Sequence, residues 1–156
     1  MRYIKPAVWR RIIVPGSIRL GKLHVVLLLA MGWQGGHLHE FVFGDTNYGE
    51  PDDFGFQSDP PLLNEARVTL TKALGALKSF TYLYDYGDNW QHRIKVEKTL
   101  VPDPDIRQPL CLDGQNACPP EDVGAKVKSG VRWVGSMIRR QAVAEPVCCR
   151  SPGFHP

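Results

Sequence analysis

The chain has 156 residues, of which 43% are hydrophobic and 22% charged. That length fits one domain with a real core, and that apolar content excludes a disordered chain. The net charge of +3 is uneven: residues 1–124 carry 13 basic against 15 acidic side chains, and residues 125–156 carry six against one, so only the tail is basic.

Residues 1–6, Met1-Arg2-Tyr3-Ile4-Lys5-Pro6, lack the apolar core of a cleavable signal. Val8-Trp9-Arg10-Arg11-Ile12-Ile13-Val14 has strand composition and ends at the turn signal Pro15-Gly16-Ser17. Arg10 and Arg11 are candidates for binding an anion or phosphate, or a solvated pair at a strand edge.

Residues 20–43 organise the chain. Leu20, Leu23, Leu27 and Ala30 or Met31 recur at helical spacing, while Val25, Val26, Leu28 and Leu29 fill the other faces. This predicts a helix covered on most sides. Its apolar run is far below the roughly 20 residues that span a bilayer. Gly32 is placed to stop it, and Gly35-Gly36 allows a tight reversal. Residues 37–43 then read as a strand, with His37, His39, Phe41 and Phe43 on one side.

Residues 44–61, rich in Asp, Asn, Gly and Pro, read as loop, with Asp52-Asp53 a solvated acidic pair. Residues 67–70 suggest a short strand and 71–77 a short helix weakened by Gly75. Phe80, Tyr82 and Tyr84 alternate with polar or solvent-side residues, as do Trp90, His92, Ile94 and Val96. The two runs flank Asp85-Tyr86-Gly87-Asp88-Asn89 and read as an antiparallel hairpin with one wet face. Residues 102–109 read as an extended loop that ends the sheet.

Histidines two apart on a strand can reach one metal. His37 and His39, with His92 and a carboxylate from Asp85 or Asp88, would make a site for a divalent transition metal such as zinc, iron or manganese. The plainer reading is a core His92 and a turn built by Asp85 and Asp88. Cys111, Cys118, Cys148 and Cys149 match neither a disulfide framework nor a zinc knuckle, and the thiols are expected to be reduced. Cys111 is the candidate nucleophile or contact residue among them. Trp33, Tyr48 and Phe54 are expected to be exposed, and Trp33 and Trp90 are candidate binding residues.

The chain resembles the plasmid pRiA4b ORF-3-like family. The residues that carry the resemblance are Trp9-Arg10-Arg11-Ile12, Leu23-His24, Ala30-Met31-Gly32-Trp33, His37-Leu38-His39-Glu40-Phe41, the run from Tyr84 through His92, Cys111, and the run from Ala117 through Gly124. They cover about residues 3–124. The resemblance implies an α+β protein whose biochemical function is not established; some members carry a resolvase (TnpR-like) label. Members usually have one more strand before the Lys5-Pro6 position, and after Gly124 they continue with a pattern this chain does not follow.

The fold expected is α+β and a single domain: an antiparallel sheet packed against a buried N-terminal helix. Residues 1–124 form the family domain. Residues 125–156 are an atypical basic tail, as a reading-frame change would produce, with at most a short basic helix near 131–140. Two functions stand: a cytoplasmic binding module for a protein or nucleic-acid partner of a plasmid or mobile element, or a metal-dependent enzyme built on His37, His39 and His92. No membrane association is expected.

Overall fold

The computed structural model describes residues 7–50, 61–106, 108–121 and, as backbone, 132–141. The first strand, β1, spans Trp9–Pro15, and the helix α1 spans Leu20–Met31 as its apolar spacing predicts. Gly32 stops it with a left-handed backbone (φ 77°), its N–H closing onto Leu28 and Leu29 carbonyls. No side chain caps the other end. There the helix is tied by backbone instead: the Leu20 N–H donates to Val68 O at 3.1 Å, and the Leu70 N–H to Ile18 O at 2.8 Å. Leu70 opens the short helix α2, Leu70–Leu74, which follows a 3-10 turn at Glu65–Arg67.

The remaining strands are β2 (His39–Phe43), β3 (Thr46–Gly49), β4 (Leu63–Asn64), β5 (Ser79–Tyr84), β6 (Trp90–Leu100), β7 (Leu110–Gln115) and β8 (Arg132–Gln141). They form one sheet in the order β4-β3-β2-β5-β6-β8-β1-β7. The expected sheet was antiparallel; the observed one is mixed. β8 runs parallel to both β6 and β1, and β4 runs parallel to β3.

Alternation along β2, β5 and β6 puts Phe41, Phe43, Phe80, Tyr82, Tyr84, Trp90, His92 and Ile94 on one buried face. Leu20, Leu23, Leu27, Leu28 and Met31 of α1 join them in the core, with Leu70 and Leu74 of α2. Arg93 and Lys95 on the opposite side of β6 are exposed, so the hairpin has the expected wet face.

Several expectations are corrected. α1 is not covered on most sides: Val25 is 44% and Leu29 73% exposed. Residues 44–61 are not all loop, because Gly44 (φ 58°) and Asp45 turn the chain directly from β2 into β3. The sheet does not end at 102–109, since β7 follows and pairs with β1. The strand expected at 67–70 is replaced by a single bridge between Arg19 and Thr69. The stretch read as a short basic helix is strand β8, laddered on both edges. Asp52, Asp53 and Phe54 lie outside the described residues, as do residues 125–131 and 142–156 of the tail. Among the described residues no helix is long and apolar enough to cross a membrane.

Candidate functional site

Two polar clusters lie where α1 meets the sheet. The first is closed. Strand register sets His39 of β2 opposite Tyr84 of β5, and Tyr82 of β5 opposite His92 of β6. α1 brings His24 over this row. Its ring stacks on His39 with centroids 3.5 Å apart and planes 7° apart, and its Nδ1 lies 2.7 Å from the Tyr82 hydroxyl. On the far side, His39 Nε2 meets Glu65 Oε2 at 2.9 Å in a buried pair. A side chain at Gly21 would place its Cβ 3.0 Å from Glu65 Oε1, so a glycine in the helix makes room for that carboxylate.

Burial, and then the neighbouring His39, push His24 down to about 4. It is therefore a neutral imidazole at neutral pH. His92 is fully buried, with its ring centroid 5.3 Å from those of Trp33 and Tyr82. Neither of its nitrogens has a hydrogen-bond partner among the described residues, and burial pushes it down to about 3. Burial likewise raises the Tyr82 hydroxyl well above the tyrosine range.

The second cluster is open to solvent. After Gly32 the chain passes through Trp33, Gln34, Gly35 and Gly36, the two glycines at φ 93° and 107°. Their turn faces Glu121. One carboxylate oxygen, Oε2, accepts the Gln34 N–H at 2.6 Å; the other, Oε1, accepts the Gly35 N–H at 3.1 Å and the Tyr84 hydroxyl at 2.6 Å. Trp33 Nε1 donates to Pro119 O at 2.9 Å and so fixes the approach of that segment. Although burial acts to raise it, the bonds from Tyr84, Gln34 and Gly35, with His37 nearby, hold the Glu121 carboxyl below its usual range. His37 stands at the rim, edge-on to Tyr84, its Nδ1 3.9 Å from Asp85 Oδ1. Asp85 and Asn89 both take left-handed backbone, at φ 57° and 55°, and Asp85 Oδ1 accepts the Gly87 and Asp88 N–H groups. That confirms the turn-building role of Asp85 and adds a contact to His37.

The structure thus distributes the expected ligands. His39 is engaged by Glu65, His37 lies beside Asp85, and His92 is sealed under Trp33. Among the described residues no group of three or more His, Cys, Asp or Glu side chains is placed to hold a metal ion. Trp33 is buried rather than exposed, at 5%, and Tyr48 is half-buried; Trp90 is buried on the apolar face of β6, as its alternation predicts. Arg10 donates to the Ala30, Trp9, Gln115 and Asn116 carbonyls, and Arg11 pairs with Glu97 and Asp113. Both guanidiniums tie strands together rather than stand ready for phosphate. Cys111 is exposed on β7, 3.6 Å from Asp113 O. Burial pushes the Cys118 thiol up to about 11, which leaves it a poor nucleophile. His24, Tyr82, Glu65 and Glu121 were not among the expected site residues. The signal for His24 was present: a polar ring set between Leu23 and Leu27 in an otherwise apolar run.

One mixed sheet with few helices, carrying a sealed histidine and tyrosine cluster and an open carboxylate turn, defines a small protein of the α+β kind. The chain belongs to the plasmid pRiA4b ORF-3-like protein family, whose model matches residues 1–129. It is 46% identical over 125 residues to the uncharacterized protein y4hQ of Sinorhizobium fredii (strain NBRC 101917 / NGR234), a match over 78% of this chain and 62% of that protein. It therefore spans less than two thirds of that relative. The crystal structure of a protein of unknown function, MM3350 from Methanosarcina mazei Go1, superposes with a TM-score of 0.64 at 30% identity, over 78% of this chain and 68% of that one. No function is established among these relatives.

Proposed function

We propose that the chain is a cytoplasmic binding module that takes an apolar segment of a protein partner along the outer face of α1. The observation that carries this reading is an apolar groove of about 350 Å³ lined by Pro15, Ser17, Ile18, Lys22, Val25, Val26 and Pro109. Val25, Val26 and Leu29 lie three and four apart, so the apolar stripe runs on past the groove. Exposed Leu110 of β7 follows Pro109 at its other wall. Apolar side chains gathered along one exposed face in this way are the candidates for a partner contact. Lys22 in the groove and Arg19 one turn back are exposed, so the fitting partner carries acidic residues beside its apolar ones. A protein partner suits this face better than nucleic acid, because the stripe is apolar and Arg10 and Arg11 are engaged internally. A place in a plasmid or mobile element follows only from the family resemblance.

The test uses the purified full chain and ten-residue amphipathic peptides with acidic or basic flanks, followed by amide chemical shifts. Acidic-flanked peptides should shift Lys22, Val25 and Val26, and Leu29→Asp should abolish the effect. Equal binding of basic-flanked peptides, shifts elsewhere, or a DNA duplex on this face would overturn the reading.

A further inference from the structure

The turn after α1 carries a second and independent inference. We propose that the Gln34 and Gly35 amides and the Tyr84 hydroxyl form a receptor for a carboxylate, which Glu121 fills as an internal competitor and an incoming organic carboxylate displaces. Three donors from two separate elements converge on one carboxylate, two on one oxygen and one on the other. Such splayed donors specify a planar, two-oxygen anion.

The receptor is rigid. Gly35 and Gly36 hold backbone angles that side-chain-bearing residues rarely adopt, and the Gln34 and Gly35 N–H groups both point at the same carboxylate. Tyr84 is fully buried, with its ring 5.3 Å from Trp33 and 5.7 Å from His37, so its hydroxyl is fixed at the surface of the core. The occupant is the adaptable partner. Glu121 reaches the turn by a flexible side chain; its bond to the Gln34 amide is exposed, and those from Gly35 and Tyr84 are part-buried. The backbone behind it is anchored separately by the bond from Trp33 to Pro119, so Glu121 can leave without unpacking the core. The donors are amides and a hydroxyl, with no ammonium or guanidinium among them. This suits a singly charged carboxylate better than a phosphate dianion. Replacing Glu121 by another carboxylate also conserves charge beside His37 and Asp85.

A tethered competitor acts at millimolar effective concentration, so the receptor is masked in the native chain and unmasked when Glu121 is removed. The experiment follows the Gln34 and Gly35 amide resonances of the full chain in Glu121→Ala and Glu121→Gln, titrated with sodium acetate against sodium chloride at matched ionic strength. Acetate should shift both amides saturably in the variants and at least roughly 10-fold more weakly in the native chain. Adding Tyr84→Phe should weaken the response of the variants. Inorganic phosphate should not substitute. A short peptide with a free C-terminus is compared with its amidated twin: tighter binding than acetate by the free form assigns a peptide end, and equal binding assigns a small organic acid. The inference falls if acetate gives no saturable shift in either variant, if the native chain responds equally, if phosphate alone binds, if Tyr84→Phe changes nothing, or if the amidated peptide binds as well. Glu121→Gln keeps the bulk of the side chain but loses the charge and turns one acceptor oxygen into an NH2 donor that cannot accept from the turn, so it decides the matter if Glu121→Ala does not fold.

Discussion

At the scale of single residues, the core keeps imidazoles where apolar rings would serve. His92 is fully buried with both nitrogens unpartnered among the described residues, and an unmet buried polar group costs about 1–3 kcal/mol. His92→Leu, of similar volume, should therefore raise the stability measured by urea unfolding by about 1–2 kcal/mol. A loss instead would reveal a hydrogen bond made by that ring in solution. The same burial sets a pH dependence. His24 and His92 are pushed down to about 4 and about 3 in the folded chain, while an unfolded histidine titrates near its ordinary value of 6.5. Below about 6.5 the unfolded chain takes up protons that the folded chain refuses, so stability is full above that pH and falls as pH drops toward 4. Fully buried His92 sets a slope of at most about 1.4 kcal/mol per pH unit, and half-buried His24 adds less. A urea midpoint flat between pH 6 and 4 would refute this, and His92→Leu should reduce the slope. The position of His39 on the inner face was legible from alternation in its strand. Its partners were not, because alternation says which side chains share a face and nothing about what covers it. His24 comes from α1 and Glu65 from a turn 26 residues further on.

At the scale of elements, α1 separates packing from surface. Leu27 is 1% exposed and Leu29, two residues on and therefore on the opposite face of the helix, 73%. Leu27→Ala should cost about 2–5 kcal/mol, as large-to-small changes in a well-packed core do. Leu29→Lys should change stability by no more than about 0.5 kcal/mol, as surface substitutions do. Thermal midpoints of the two variants check this pair, and a large loss from Leu29→Lys would mean that the outer stripe is covered. The bounds of α1 were readable from its helical apolar spacing and the Gly32 stop, and the β5–β6 hairpin because one-sided burial imprints alternation on sequence; the Val and Leu side chains all round α1 hid which of its faces is exposed. The strand β7 left no such imprint: all six of its residues are exposed, so neither face selects apolar side chains. β3 was missed although a signal existed, since Gly44-Asp45 joining two strand-like runs is a two-residue hairpin turn.

At the scale of the whole molecule, the last described strand lies inside the sheet, between the first strand and β6. Its backbone ladders run from Trp9 opposite Gly135 to Pro15 opposite Gln141 on one edge, and from Trp90 opposite Arg132 to Leu100 opposite Gln141 on the other. Arg11 of β1 and Glu97 of β6 meet at 3.0 Å although β8 runs between their strands. Two long side chains can span the nearly 10 Å of two strand spacings, so this ion pair clips together the neighbours of β8. The reversal of charge near Gly124 argued for an accidental tail, and that argument was blind to pairing, which is made by backbone and asks little of composition. Parallel strands need long connections, so no local turn signal marks where such a strand returns. Deleting residues 132–156 decides between the two readings. With β8 integral, the deletion strips hydrogen-bond partners from both β1 and β6 in mid-sheet, and buried backbone groups left without partners are strongly destabilising. The truncated chain should then lose at least about 10 °C in thermal midpoint, or cooperative unfolding altogether, taking a loss of several kcal/mol at roughly 2–4 °C per kcal/mol for a chain of this size. Amides of β1 and β6 should lose hydrogen-exchange protection while those of β2 and β5 keep more of theirs. An unchanged midpoint with β1 still protected would mean that β1 and β6 close the sheet without β8, and that the tail is a foreign addition.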